Sequence, residues 1–244
     1  MAIKTVIASG KGGVGKSTVC KNLGLYFSSV GKRTLLIDCD AGLSSLDIML
    51  GVSDRVNFTW TDVYDESCSI EDSILKINEN LYLLPSPRAV LKEEYEDAIK
   101  SITEKLDTSF DYIFIDAPAG VGRGFTRAAQ GATKALVVAT ADEVSVKGAS
   151  TVASLLHDEG VNEARLLINR YDLKAAKKGR LLTVDEIIDK TLVQLIGIIP
   201  EDTNIMYSTV SEKKLKTKRS DGAFMRIAKR ICGENVELKL SQLK

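Results

Sequence analysis

The run Gly10-Lys11-Gly12-Gly13-Val14-Gly15-Lys16-Ser17-Thr18 has the spacing GxxxxGK[ST]. Glycines at these intervals let backbone N–H groups curl around phosphate oxygens, and a helix opening just behind them adds the positive end of its dipole. Gly12, Gly13, Val14, Gly15, Lys16, Ser17 and Thr18 therefore form a phosphate cradle. Lys16 can reach the terminal phosphates, and the Ser17 hydroxyl can coordinate Mg2+. Two further apolar runs end in carboxylates: Asp38 and Asp40 follow Thr34–Ile37, and Asp116 follows Tyr112–Ile115. Ligands of an open α/β sheet collect beyond the carboxyl ends of its strands, so these acids are expected to converge on the glycine loop. Asp116 is expected to hold Mg2+ through water. Asp38 either supports the metal from behind its ligands or caps the loop that follows. Asn169-Arg170-Tyr171-Asp172, after Arg165–Ile168, has the spacing of the guanine-reading NKxD pattern with Arg in place of Lys. Its residues leave adenine and guanine both open.

These side chains need a scaffold, and the rest of the chain supplies its pattern. Short apolar, β-branched runs predict strands at Lys4–Ala8, Thr34–Ile37, Leu81–Leu84, Tyr112–Ile115, Ala135–Ala139, Arg165–Ile168 and Leu195–Ile199. Runs apolar on both faces suit parallel strands covered on each side. Helical spacing is read in Ser17–Val30 (with Gly31 as its C-cap), Tyr95–Leu106 and Lys147–His157. Strand alternating with helix predicts an α/β fold with a doubly wound, mainly parallel sheet, the phosphate loop following the first strand.

At 244 residues and 44% hydrophobic composition the chain can bury a full core. Residues 1–235 are expected to form one domain and residues 236–244 a short tail. Lys+Arg and Asp+Glu balance at 33 each, so any contact with nucleic acid or membrane must come from a local patch. Cys20, Cys39, Cys68 and Cys232 include no CxxC pair, which favours reduced, mostly buried thiols over a disulfide or metal framework. The N-terminal run is not expected to act as a leader, and no stretch approaches the ~20 apolar residues of a membrane helix. A cytoplasmic location is expected, with a peripheral position at the inner face of the membrane left open. His157, Trp60 and Tyr64 read as non-catalytic, the two aromatics as packing residues.

The pattern KGGVGKST, with Lys11 ahead of the usual loop lysine, resembles the deviant Walker A ATPases, the MinD/ParA family. The resemblance implies an ATP hydrolase using Mg2+ and working as a face-to-face homodimer. Lys11 would cross to the partner's phosphates in the role of an arginine finger. Asp40 matches the family's switch I aspartate, which orients the attacking water. As an ordinary carboxylate it would position the water and accept its proton late, rather than deprotonate it outright. Lys11, Lys16 and Asp40 thus become the catalytic set, and Ser17, Asp38 and Asp116 the metal set. The resemblance also favours adenine. Asn169 would bond its amino group, Arg170 would stack on the ring, and Pro200-Glu201-Asp202 would form a second wall, largely through backbone.

Within the family, Asp38–Gly51, Asp116-Ala117-Pro118-Ala119-Gly120 and Glu143-Val144-Ser145 look like the septum-site-determining branch. That implies an ATPase whose dimer times the positioning of a cell-division regulator, together with a protein partner. Two other readings stay open: a partition ATPase whose dimer binds DNA, and a nucleotide-gated adaptor with negligible turnover. There are departures. Ser45 stands where the branch usually carries Asn, and Lys147-Gly148-Ala149 lacks an acidic residue expected shortly after Glu143-Val144-Ser145. Val236, Leu240 and Leu243 would share one face of a helical tail, a stripe without aromatics and too small for firm membrane binding, so membrane contact is expected to be weak or absent. Lys213, Lys214, Lys216, Lys218 and Arg219 could meet DNA phosphates or anionic lipid; solvated surface is the simpler reading.

Overall fold

The computed structural model describes residues 1–42, 44–89, 95–208 and 218–239, with backbone alone at 206–208 and 218–219. Its strands are β1 (Ile3–Ala8), β2 (Thr34–Asp38), β3 (Leu75–Lys76), β4 (Leu81–Leu84), β5 (Tyr112–Asp116), β6 (Lys134–Ala139), β7 (Glu163–Tyr171) and β8 (Leu195–Pro200). They form one eight-stranded sheet in the order β3-β4-β2-β5-β1-β6-β7-β8. Every pairing is parallel except that of β3 with β4.

Burial follows the period of two along each strand. Val6, Ala8, Leu35, Ile37, Ile113 and Ile115 face one core, whereas Ile7, Leu36 and Phe114 face the other. The first core is covered by α3 (Trp60–Tyr64), α5 (Ala98–Lys105), α6 (Arg123–Gln130), α7 (Glu143–Asp158) and α9 (Val184–Thr191). The second is covered by α1 (Lys16–Ser29), α2 (Ser45–Leu50) and α11 (Lys218–Ile231). Among the described residues the remaining helices are α4 (Ile70–Ser73), α8 (Leu173–Lys177), α10 (Thr203–Ser208) and a 3-10 turn at Ser53–Arg55. Phe27 of α1 shows how the layers lock. It is 1% exposed, and its ring centroid lies 4.1 Å from that of Tyr112. Full burial of such a side chain contributes about 1.5–3 kcal/mol. The helix ends behind it where Gly31, at φ 79°, turns left-handed so that Lys32 N–H reaches Phe27 O at 3.0 Å.

The doubly wound sheet agrees with the sequence expectation, and the differences are local. The helix expected over Tyr95–Leu106 spans Ala98–Lys105, because the Tyr95 ring is drawn against Trp60 and Tyr64. The one expected over Lys147–His157 starts earlier, at Glu143, where Asp142 caps it by accepting Ser145 N–H at 3.0 Å. Strand β7 runs past Ile168 to Tyr171, so Asn169 and Arg170 lie within it rather than after it. Its register with β8 shifts between Ile168 and Tyr171, and Arg170 there takes φ 53°. Of the four thiols Cys20 and Cys39 are buried, Cys68 is half-buried and Cys232 is exposed. No helix among the described residues is long and apolar enough to cross a membrane. The tail, expected as a possible helix, has no regular structure over Val236–Lys239, and Val236 O accepts Arg230 Nε at 2.9 Å. Leu240 and Leu243 lie outside the described residues.

Candidate nucleotide site

β1 delivers the chain into the loop Ser9–Gly15, and α1 leaves it. Gly13 (φ 77°) and Gly15 (φ 94°) hold the left-handed backbone that turns the loop's amides inward. A Cβ on Gly15 would also lie 2.4 Å from Asn169 Nδ2. Gly10 is constrained from the other side, since a Cβ there would come 2.4 Å from Gly148 O of α7. The stretch Lys147-Gly148-Ala149, noted for what it lacks, is thus where a second glycine lets a helix touch the loop. Gly15 is the N-cap of α1 and offers no capping side chain, which leaves the first amides of that helix open to a ligand.

Lys16 is the first residue of α1, 7% exposed, and forms no ion pair among the described residues. Ser17 Oγ accepts from Ser45 Oγ at 3.1 Å. The residue that departs from the family pattern therefore closes α2 onto the expected metal-binding hydroxyl. Asp116, the last residue of β5, is fully buried, and neither carboxylate oxygen has a hydrogen-bond partner. Burial, and then the charge of Asp38, push its pKa up to about 8 against the opposing pull of Ser17 and Lys16. A bare buried carboxylate beside a hydroxyl and a lysine is an arrangement that Mg2+ would satisfy. No group of three or more His, Cys, Asp or Glu among the described residues could hold a metal alone. The ion would need phosphate oxygens to complete its shell, as Mg2+ in nucleotide sites does.

Asp38 ends β2 in register with Asp116. Its carboxylate accepts Asp40 N–H at 2.9 Å and Leu46 N–H at 3.0 Å, so it ties the β2–α2 loop together. Burial raises its pKa to about 6, with the two backbone bonds opposing the rise. Asp40 is half-buried, its pKa raised by desolvation and held back by Lys16. Asp38, Asp40 and Asp116 therefore do meet at the loop, through three different environments.

Farther along the same sheet edge, Asn169 Nδ2 donates to Val14 O at 2.7 Å, which leaves its Oδ1 as an acceptor. Arg170 NH1 donates to Gly13 O at 3.1 Å, so both residues brace the phosphate loop. Glu201 is exposed, and its N–H bonds Tyr171 O at 3.2 Å. The Asp202 carboxylate accepts Asn204 N–H at 3.0 Å and Ser220 Oγ at 2.7 Å. Lys11 Nζ pairs with Asp142 Oδ1 at 3.0 Å within the chain, the two side chains 42% and 38% exposed. Among the basic residues, Lys213, Lys214 and Lys216 lie outside the described residues, and Lys218 and Arg219 open α11 with side chains undescribed.

Sequence reasoning missed Trp60. It is buried as a packing residue should be, but its indole Nε1 also donates to Asp38 O at 3.0 Å. No sequence signal marks this bond, because its acceptor is a backbone carbonyl on another element.

The family model described as "ParA: NUBPL iron-transfer P-loop NTPase" matches residues 1–234. The septum site-determining protein MinD of Synechocystis is 37% identical over 240 residues, which cover 95% of this chain and 90% of that one. In the MinC:MinD cell division protein complex of Aquifex aeolicus, a chain 34% identical superposes with a TM-score of 0.89 over 98% of each chain. MinD of Pyrococcus horikoshii, complexed with Mg-ADP, is 28% identical and superposes with a TM-score of 0.82 over 95% of this chain and 96% of that one.

Proposed function

Since the chain belongs to the MinD/ParA family of P-loop NTPases, we propose that it is a MinD-like ATPase that dimerises on Mg-ATP and hydrolyses it to time the positioning of a cell-division regulator. The ATPase core is assigned to residues 1–235, with 236–244 as a tail. The observation that carries the reading is Asp116, buried and unpaired beside Ser17 and Lys16 at the mouth of the phosphate loop. ATP would lie with its phosphates against the amides of Gly12–Thr18 and its β- and γ-oxygens against Lys16. Ser17 and Asp116 would hold the metal, with Asp38 behind them. When bound, Mg2+ would neutralise phosphate charge. Asp40 would orient the attacking water. The free Oδ1 of Asn169 suits an exocyclic amino group as donor, which favours adenine over the carbonyl of guanine.

Lys11 is spent on Asp142 in the monomer. An exposed pair of this kind is worth about 0–1 kcal/mol, so the phosphates of a second protomer could draw it away cheaply. The solved MinC:MinD complex of a relative supports a protein partner for this chain as well. The test is Lys11→Ala beside the wild type in analytical ultracentrifugation with Mg-ATP. The variant should bind nucleotide as a monomer and fail to dimerise, and normal ATP-dependent dimers would remove Lys11 from the reading. Co-sedimentation of the wild-type ATP dimer with DNA and with anionic vesicles separates division regulation from DNA partition, and single-turnover hydrolysis separates an enzyme from an adaptor.

A further inference from the structure

We infer that Trp60 is a positioning residue for the hydrolytic step, its indole N–H holding the β2 strand end that carries Asp38 and Asp40. The inference rests on the proposed role of Asp40. Trp60 is 0% exposed, and its Nε1 donates to Asp38 O at 3.0 Å. Its own backbone is fixed, with Trp60 N–H on Pro85 O at 3.1 Å. Helix α3, which it opens, is nucleated by a capping box in which Thr59 N–H bonds Asp62 Oδ2 at 2.7 Å. The ring is clamped as well. The Arg127 guanidinium lies 5.5 Å from its centroid, and Tyr95 meets it edge-on at 6.0 Å. Arg127 is 4% exposed and donates from Nε to Tyr95 O at 2.6 Å. A cation over an indole draws π density towards itself and makes the N–H a stronger donor, more so where water is excluded.

The consequence runs along the backbone. Trp60 fixes the Asp38 carbonyl, and the Asp38 carboxylate in turn holds Asp40 N–H at 2.9 Å. Packing alone asks only for a large apolar side chain here. The N–H is an extra group, and its acceptor is the strand end on which the water-orienting carboxylate stands. Displacement of such a group by about 1 Å costs up to ~10²-fold in rate while binding survives.

The test replaces Trp60 with β-(3-benzothienyl)alanine, which keeps the size of indole and lacks the N–H, alongside Trp60→Phe. In single-turnover hydrolysis of Mg-ATP the isostere should lose about tenfold or more in rate, with the nucleotide dissociation constant within about twofold of wild type. Trp60 is also the chain's only tryptophan, so wild-type emission should change on addition of Mg-ATP, as emission from a remote packing residue would not. A folded isostere with the wild-type rate, or an emission spectrum indifferent to Mg-ATP, overturns the inference. Asp40→Ala run in parallel separates the two readings. Turnover lost there and kept in the isostere sinks only the positioning role. Normal turnover in Asp40→Ala sinks the assignment beneath it.

Discussion

Strands β2 and β5 lie side by side and end in the same register on the same residue type, Asp38 opposite Asp116. Both carboxylates are buried, at 1% and 0% exposure, yet their surroundings differ. Asp38 accepts two backbone N–H groups and is spent on the loop it caps. Asp116 accepts no backbone N–H, and only the Ser17 hydroxyl and Lys16 favour its charge. Buried polar groups are nearly always paired, so an orphan indicates what is to bind there. The pair separates a carboxylate used to build the site from one kept for a ligand.

The largest expected effect sharpens that difference. Asp116→Asn should lower Mg2+-dependent single-turnover hydrolysis by at least about 10²-fold, since a metal's charge stabilisation is worth several kcal/mol. In EDTA the same variant should melt no lower than wild type, because the amide breaks no backbone bond and removes a buried acid whose ionisation above about pH 8 costs stability. A variant that loses activity and melts well below wild type would make Asp116 structural and erase the contrast.

The pH dependence is the next largest. The folded pKa values, about 6 for Asp38 and about 8 for Asp116, both exceed the ordinary 3.8. The folded state therefore holds the extra protons. Its stabilisation is complete below about pH 4 and is lost as pH rises through about 6 at Asp38 and about 8 at Asp116. Metal-free protein should thus lose stability from pH 5 to 8, by at most about 1.4 kcal/mol per unit for each group. Asp116→Asn should flatten the upper half of that slope in denaturant titrations, and an unchanged slope would place Asp116 in a wetter setting than the structure does.

The smallest effect belongs to Asp38→Asn. An amide has one acceptor oxygen where the carboxylate has two, so either Asp40 N–H or Leu46 N–H loses its partner. The expected cost is about 1–3 kcal/mol by chemical denaturation. Hydrolysis should fall about tenfold through Asp40, with nucleotide affinity kept. Unchanged stability would mean the two backbone bonds are replaceable, and Asp38 would move to the ligand side of the comparison.

The site was legible where chemistry demands a local pattern. Gly13 and Gly15 stand where φ must be positive, and Asp116 follows an apolar run that could only be a buried strand. Other parts were not. The edge strand Leu75–Lys76 spans too few residues for a period of two to register, and the short helices α2, α3, α4 and α8 too few for one of 3.6. Asp142, which holds Lys11 from 131 residues away, carries no local mark. Ser45 stands where the family pattern has Asn, and only the fold shows its hydroxyl reaching Ser17.

Sequence by itself determined the doubly wound sheet, the phosphate loop after β1 and the carboxylates at the ends of β2 and β5, because glycine torsions and apolar periodicity are properties of neighbouring residues. Only the tertiary structure decided which aspartate is satisfied and which is bare, where Lys11 rests, and that Trp60 donates to Asp38. Those depend on backbone carbonyls and amides, which every residue carries alike and which acquire identity only when the folded chain brings a particular partner within about 3 Å.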